Sequence, residues 1–140
     1  MEKGSRYVYL FASGLFLLGV VVQVFLAGMV VVARQSGWDG HIGLGHSLAA
    51  PLLLMLVSVY LGRLPGHIKR MTWLLFIVYV LQADVIIFLR SAAPLVSALH
   101  PVLALADFAI GLALFQRVLG LVRQSAARPA AQPSFETSPR

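Results

Sequence analysis

Within a strongly apolar chain, the side chains able to do chemistry are Gln23, His41, His46, Gln82, Asp84, His100 and Asp107. Ionisable and amide groups are expensive inside lipid, so each one standing within an apolar run is a candidate functional residue, to be weighed against a role as an interfacial anchor or hydrogen-bonded structural group. The histidines offer neutral imidazoles. Two of them from separate helices at one depth are what axial ligation of a b-type haem requires, with His100 as one ligand and His41 or His46 as the other. The carboxyls of Asp84 and Asp107 point instead to proton or cation handling. With no cysteine in the chain, disulfides, thiolate metal sites, iron–sulfur clusters and cysteine nucleophiles are excluded. There is no Gly-Lys-Ser/Thr after a glycine loop and no His-Glu-x-x-His, so any enzymatic activity would depend on a cofactor, and whether there is one stays open.

Spacing sorts these residues onto faces. His100 and Asp107 are seven residues apart and share one helix face about 10 Å apart, with Ala104 and Gly111 continuing the stripe. That polar, small-residue face is expected to point into the bundle. His41 and His46 differ by five positions, about 140° around a helix, so they cannot both face one point. His46 shares a stripe with the small residues Gly43, Ala49 and Ala50 and with Leu53, whereas His41 continues along bulky Leu48, Leu52 and Met55, so periodicity favours His46 as the inward ligand. A loop position for His41, where helix geometry does not apply, keeps that choice open. Asp84 lies at a depth that allows a carboxyl pair with Asp107, joined through Gln23 or Gln82. Gln82 and Asp84 are about 200° apart, so one of them is free to reach a second protomer. His67, in a basic loop, is expected to be solvated.

The elements that must carry these residues follow from composition. Of 140 residues, 59% are hydrophobic and 11% charged, and the mean hydropathy is +0.87, which belongs in a lipid bilayer rather than in a soluble domain. The apolar runs 7–32, 44–61, 71–89 and 96–121 are each long enough to span, and about 20 residues suffice for one crossing. The fold class expected is all-α: an integral membrane four-helix bundle, up-down-up-down, formed by residues 1–122. The first run is too long for a signal-peptide core and is read as a retained helix. Pro51 is expected to kink the second span and free a backbone carbonyl.

Lys3 and Arg6 precede the first span, Arg63, Lys69 and Arg70 lie between the second and third, and Arg117, Arg123, Arg128 and Arg140 end the chain. Only Arg34 and Arg90 lie on the other side, so the positive-inside rule places both termini in the cytoplasm of a multi-pass cell-membrane protein. Trp38 and Trp73 fit the interfacial preference of indole, and Arg34 and Arg90, with Trp38, stand where haem propionates would emerge. The net charge of +6 is read as a topology signal and not as a nucleic-acid footprint, because the charges lie between apolar runs. Residues 123–140, rich in Pro, Ser and Ala, read as a disordered cytoplasmic tail. No internal repeat at fixed spacing stands out, although two successive helical hairpins leave room for a diverged duplication.

Val22-Gln23-Val24-Phe25-Leu26-Ala27-Gly28, Trp38-Asp39-Gly40-His41 with Gly45, Leu81-Gln82 and Ala98-Leu99-His100-Pro101-Val102 together resemble a little-characterised bacterial family of four-helix membrane proteins, over residues 7–122. In that pattern the histidine of the second span matches His41, against the periodicity argument for His46; Asp84 and Asp107 lie outside it. More distantly, the arrangement is similar to one half of haem A synthase and to small cytochrome b-like bundles. That resemblance implies a cofactor and not a reaction, since this chain has only one four-helix unit. The functional expectations are a haem-binding electron-transfer protein, a proton- or cation-handling protein, or a non-catalytic accessory subunit. The partners expected are the lipid bilayer and a second copy or larger membrane complex.

Overall fold

The computed structural model describes residues 2–127, all of whose regular elements are helical. They are α1 (Glu2–Val31), α2 (Asp39–Ser47), α3 (Ala49–Leu61), α4 (Gly66–Val80), a π-helical turn (Leu81–Val85), α5 (Ile86–Phe88), α6 (Pro94–Ser97) and α7 (His100–Ala127). Joined end to end they make four helices long and apolar enough to cross a membrane: Glu2–Val31, Asp39–Leu61, Gly66–Phe88 and Pro94–Ala127. Each helix begins before its expected span, the first and third end one residue short of it, and α7 continues through residues assigned to the tail as far as Ala127. The rest of that tail, with Arg128 and Arg140, lies outside the described residues.

In the second span, α2 gives way to α3 at Leu48. A proline ring at position 51 removes one ladder donor and clashes with the carbonyl of Ser47, so the helix resets one turn before it. Tyr79 fills the break: its hydroxyl donates to the Gly45 carbonyl at 2.7 Å.

Helix α1 packs on α3 and α7, and α4 packs on the same two helices, so α1 and α4 lie diagonally across the bundle from each other. Each buried residue of α4 and α7 has a buried counterpart 59 positions earlier, in the first hairpin. Tyr9, Ser13, Phe16 and Val20 of α1 are matched by Ile68, Thr72, Leu75 and Tyr79 of α4, each 59 positions later. Leu48, Leu52, Met55 and Val59 are matched by Asp107, Gly111, Leu114 and Val118 at the same offset of 59. The chain is therefore a repeat of two helical hairpins about a pseudo-twofold axis along the bundle. This corrects the expectation of no fixed repeat.

Closure of the core is one-sided. At the end carrying the termini, Arg6 donates to the Gly62 carbonyl at 3.0 Å, and the Tyr9 hydroxyl donates to Thr72, which donates in turn to Ile68. Toward the opposite, distal end, full burial stops at Val20, Leu48, Tyr79 and Asp107, with Ile86 the only buried side chain beyond them among the described residues. A sleeve of exposed apolar side chains, including Phe11, Leu18, Phe25, Leu105 and Phe88, covers the outside.

Candidate functional site

The imidazoles of His41 and His100 meet in the open distal half, with ring centres 6.1 Å apart and planes turned by 63°. His41 lies in the first turn of α2 and is reached across the hairpin by α1, whose Gln23 carbonyl stands 3.1 Å from the His41 Nδ1. His100 opens α7, and its Nδ1 stands 3.0 Å from the carbonyl of Gln82, in the π-helical turn. Each histidine follows its glutamine by 18 residues, and the second pair follows the first by 59. Because a carbonyl only accepts, each Nδ1 carries the proton, and each Nε2 keeps a free lone pair. This tautomer-fixing bond is the outer-sphere arrangement typical of metal-ligating histidines. The edge of Trp38 lies against His41, ring centres 5.4 Å apart, and closes one side.

The side chains of the same glutamines lie beneath. The amide of Gln23 rests on Gly45, where a methyl group would collide with its Nε2; Gly45 is one turn below His41 on the same face. The side-chain oxygens of Gln23 and Gln82 are both buried without a hydrogen-bond partner. Asp107, one repeat on from Leu48, is fully buried, and neither carboxyl oxygen has a partner. From the distal end inward, the bundle thus carries two imidazoles, two unsatisfied amides and one unsatisfied carboxyl.

His46 does not face this centre. It is exposed, its Nδ1 donates to the Ile42 carbonyl at 3.0 Å, and its Nε2 lies 3.7 Å from Asp84 Oδ1 on the outside of the bundle. The periodicity argument failed because it took small residues as the sign of an interior space. Bulky Leu48, Leu52 and Met55 are the buried stripe, while Gly43, Ala50 and Leu53 are exposed, so the match of His41 to the resembled pattern was the better guide. The Asp84–Asp107 pair is likewise not formed: Asp84 points out, Asp107 in. Gln82 and Asp84 do diverge as their spacing requires, and His67 is exposed. Arg34 and Arg90 are both exposed at the distal end. Sequence reasoning passed over the buried hydroxyls Tyr9, Ser13, Ser58 and Thr72, of which only Ser13 and Thr72 match each other across the repeat.

The donor set limits what the imidazole pair can hold. Two imidazoles bound on opposite sides of one metal by bonds of about 2.0 Å would place their ring centres about 6 Å apart, and the centres here are 6.1 Å apart. Among the described residues, no group of three or more His, Cys, Asp or Glu side chains gathers to hold a metal. A bare ion wanting four protein ligands is poorly served by two, whereas a haem iron takes four nitrogens from its macrocycle and asks the protein for two.

Residues 23–87 are similar to a family of unknown function (DUF6220). That segment begins at Gln23, includes His41 and Gln82 and stops short of His100, and it covers somewhat less than half of the chain. No curated protein and no solved structure matches the chain. None of these comparisons shows a likeness to haem A synthase or to cytochrome b-like bundles.

Proposed function

We propose that the chain is a multi-pass integral membrane protein with cytoplasmic termini that binds b-type haem between His41 and His100 and passes electrons near the outer face. Four helices of sufficient length and apolarity, with an exposed apolar sleeve, support the membrane placement. The distribution of Lys and Arg supports the orientation. The observation that carries the haem reading is the imidazole pair itself: rings 6.1 Å apart, each held through Nδ1 by a backbone carbonyl. The scarcity of buried side chains beyond Val20, Leu48, Tyr79 and Asp107 is compatible with an occupant there. Gln23 and Gln82 supply free acceptors at its lower edge, and Arg34 and Arg90 are cations near its rim. When bound, the group would supply one-electron chemistry at a low-spin iron; the chain's own contribution is to fix the imidazole tautomers and keep the lower core dry.

The test is the absorption spectrum of detergent-purified protein from haem-supplemented cells. A Soret band that disappears in His41→Ala and in His100→Ala but persists in His46→Ala is expected. No Soret band in the wild type ends the haem reading.

Asp107 favours a second reading, proton or cation handling, because its carboxyl is buried with no partner in the core. Proteoliposome flux abolished by Asp107→Asn would select it over the first.

A further inference from the structure

The repeat makes two lateral faces of the distal half equivalent, yet they carry different residues. On one face the matching positions are Phe25 and Leu105, both largely exposed and suited to lipid chains. On the other, 59 positions later and earlier respectively, stand Asp84 and His46, with side-chain exposures of 58% and 63%. Around them, Arg90 and Ser91 replace Val31 and Val32. The polar character of this face is therefore not imposed by the fold, since the same backbone accommodates an apolar version of it. Ionisable groups one to two turns inside a helix end and open to lipid are unfavourable unless something else meets them.

These residues line an open groove of about 760 Å³ with walls of Ala83, Val85, Ile87 and Phe88, within the size range of small-molecule sites. His46 donates through Nδ1 to Ile42, so its Nε2 is an acceptor. At 3.7 Å from Asp84 Oδ1 it faces another acceptor beyond hydrogen-bond distance. With the imidazole neutral the pair lacks a donor between its members, and with it protonated the two form an ion pair. An aromatic hydroxyl arriving along the apolar wall would supply the donor that the neutral pair lacks, with its ring against Phe88. The π-helical turn that holds Asp84 on this side also presents the Gln82 carbonyl to His100 on the other, so the groove and the imidazole pair share one element.

We propose that this groove binds the head of a lipid-soluble quinol drawn laterally from the bilayer, its hydroxyl hydrogen-bonded to His46 Nε2 or the Asp84 carboxylate. The inference rests on the membrane placement above and is independent of haem. The experiment is equilibrium dialysis of a short-chain ubiquinol analogue against the full chain in detergent, with empty micelles as the blank. Saturable binding near one per chain is expected, weakened at least tenfold by His46→Leu and by Asp84→Phe, which install the residues of the sister face and so are compatible with the fold. Leu105→Ala on the sister face should leave binding unchanged. Loss of haem in His41→Ala with quinol binding retained would separate the two sites, and a wild type without a Soret band but with saturable binding would leave this proposal standing alone. Absence of saturable binding, or equal binding by all variants, overturns it. So does high-yield disulfide dimerisation of Phe88→Cys in native membranes, which would assign the face to a second copy.

Discussion

The two hairpins share a backbone plan and differ in what they place on it. In the terminal half they share buried positions: Met55 and Leu114, Val59 and Val118, Ser13 and Thr72 are equivalent. In the distal half the glutamine–histidine pairs are kept, while Leu48 becomes Asp107, Val20 becomes Tyr79, Phe25 becomes Asp84 and Leu105 gives way to His46 across the repeat. The shared positions build a scaffold and a symmetric centre. The unshared ones add polarity to one side only. Departures from the repeat thus give the two faces of one bundle different side-chain chemistry.

The largest effect should come from the retained pair. On the proposed haem reading, His41→Ala and His100→Ala should each strip most of the haem from the chain, read as loss of the Soret band, and to the same extent, because each removes one of two equivalent ligands; a spectrum sensitive to only one of them would break the equivalence of the hairpins. Next come the buried scaffold positions. Met55→Ala and Leu114→Ala should each destabilise the protein by about 2–5 kcal/mol through the cavity left behind, measured by denaturant unfolding in mixed micelles, and values differing several-fold would show that the repeat is geometric but not energetic. Asp107→Leu, which copies Leu48 into the second hairpin, should stabilise by about 1–3 kcal/mol by removing an unpartnered buried polar group. A destabilised Asp107→Leu would mean that the carboxyl has a partner supplied by the membrane or a ligand. The smallest change is expected of Tyr9→Phe, which removes the hydrogen bond to Thr72 and should cost about 0.5–1.5 kcal/mol in thermal unfolding. No change there would place that hydroxyl pair in contact with water.

Much of this architecture was legible in the chain because its signals are one-dimensional. Apolar runs long enough to cross a bilayer announce helices, since lipid admits few alternatives for a backbone that must satisfy its own hydrogen bonds. His41, His100, Gln23 and Gln82 were legible as polar residues out of place, and the first of these also through the resembled pattern. The inward face of the second span was not legible. Around a wheel, small residues such as Gly43 and Ala50 and bulky ones such as Leu52 and Met55 both make plausible interiors, and the helix reset before Pro51 disturbs the phase that such a wheel assumes.

The sequence by itself determined four helices, their antiparallel order and a polar cluster toward one end, because hydropathy and charge act locally and add along the chain. Only the tertiary structure decided that His41 and not His46 meets His100, that Asp84 and Asp107 part company, and that the hairpins repeat at 59 residues. The reason is that apolar side chains substitute freely for one another at matched positions: Phe16 with Leu75 or Leu52 with Gly111 preserves burial while erasing identity. The repeat survives in which positions are buried and which carbonyls hold the imidazoles, and those relations exist only once the helices are packed.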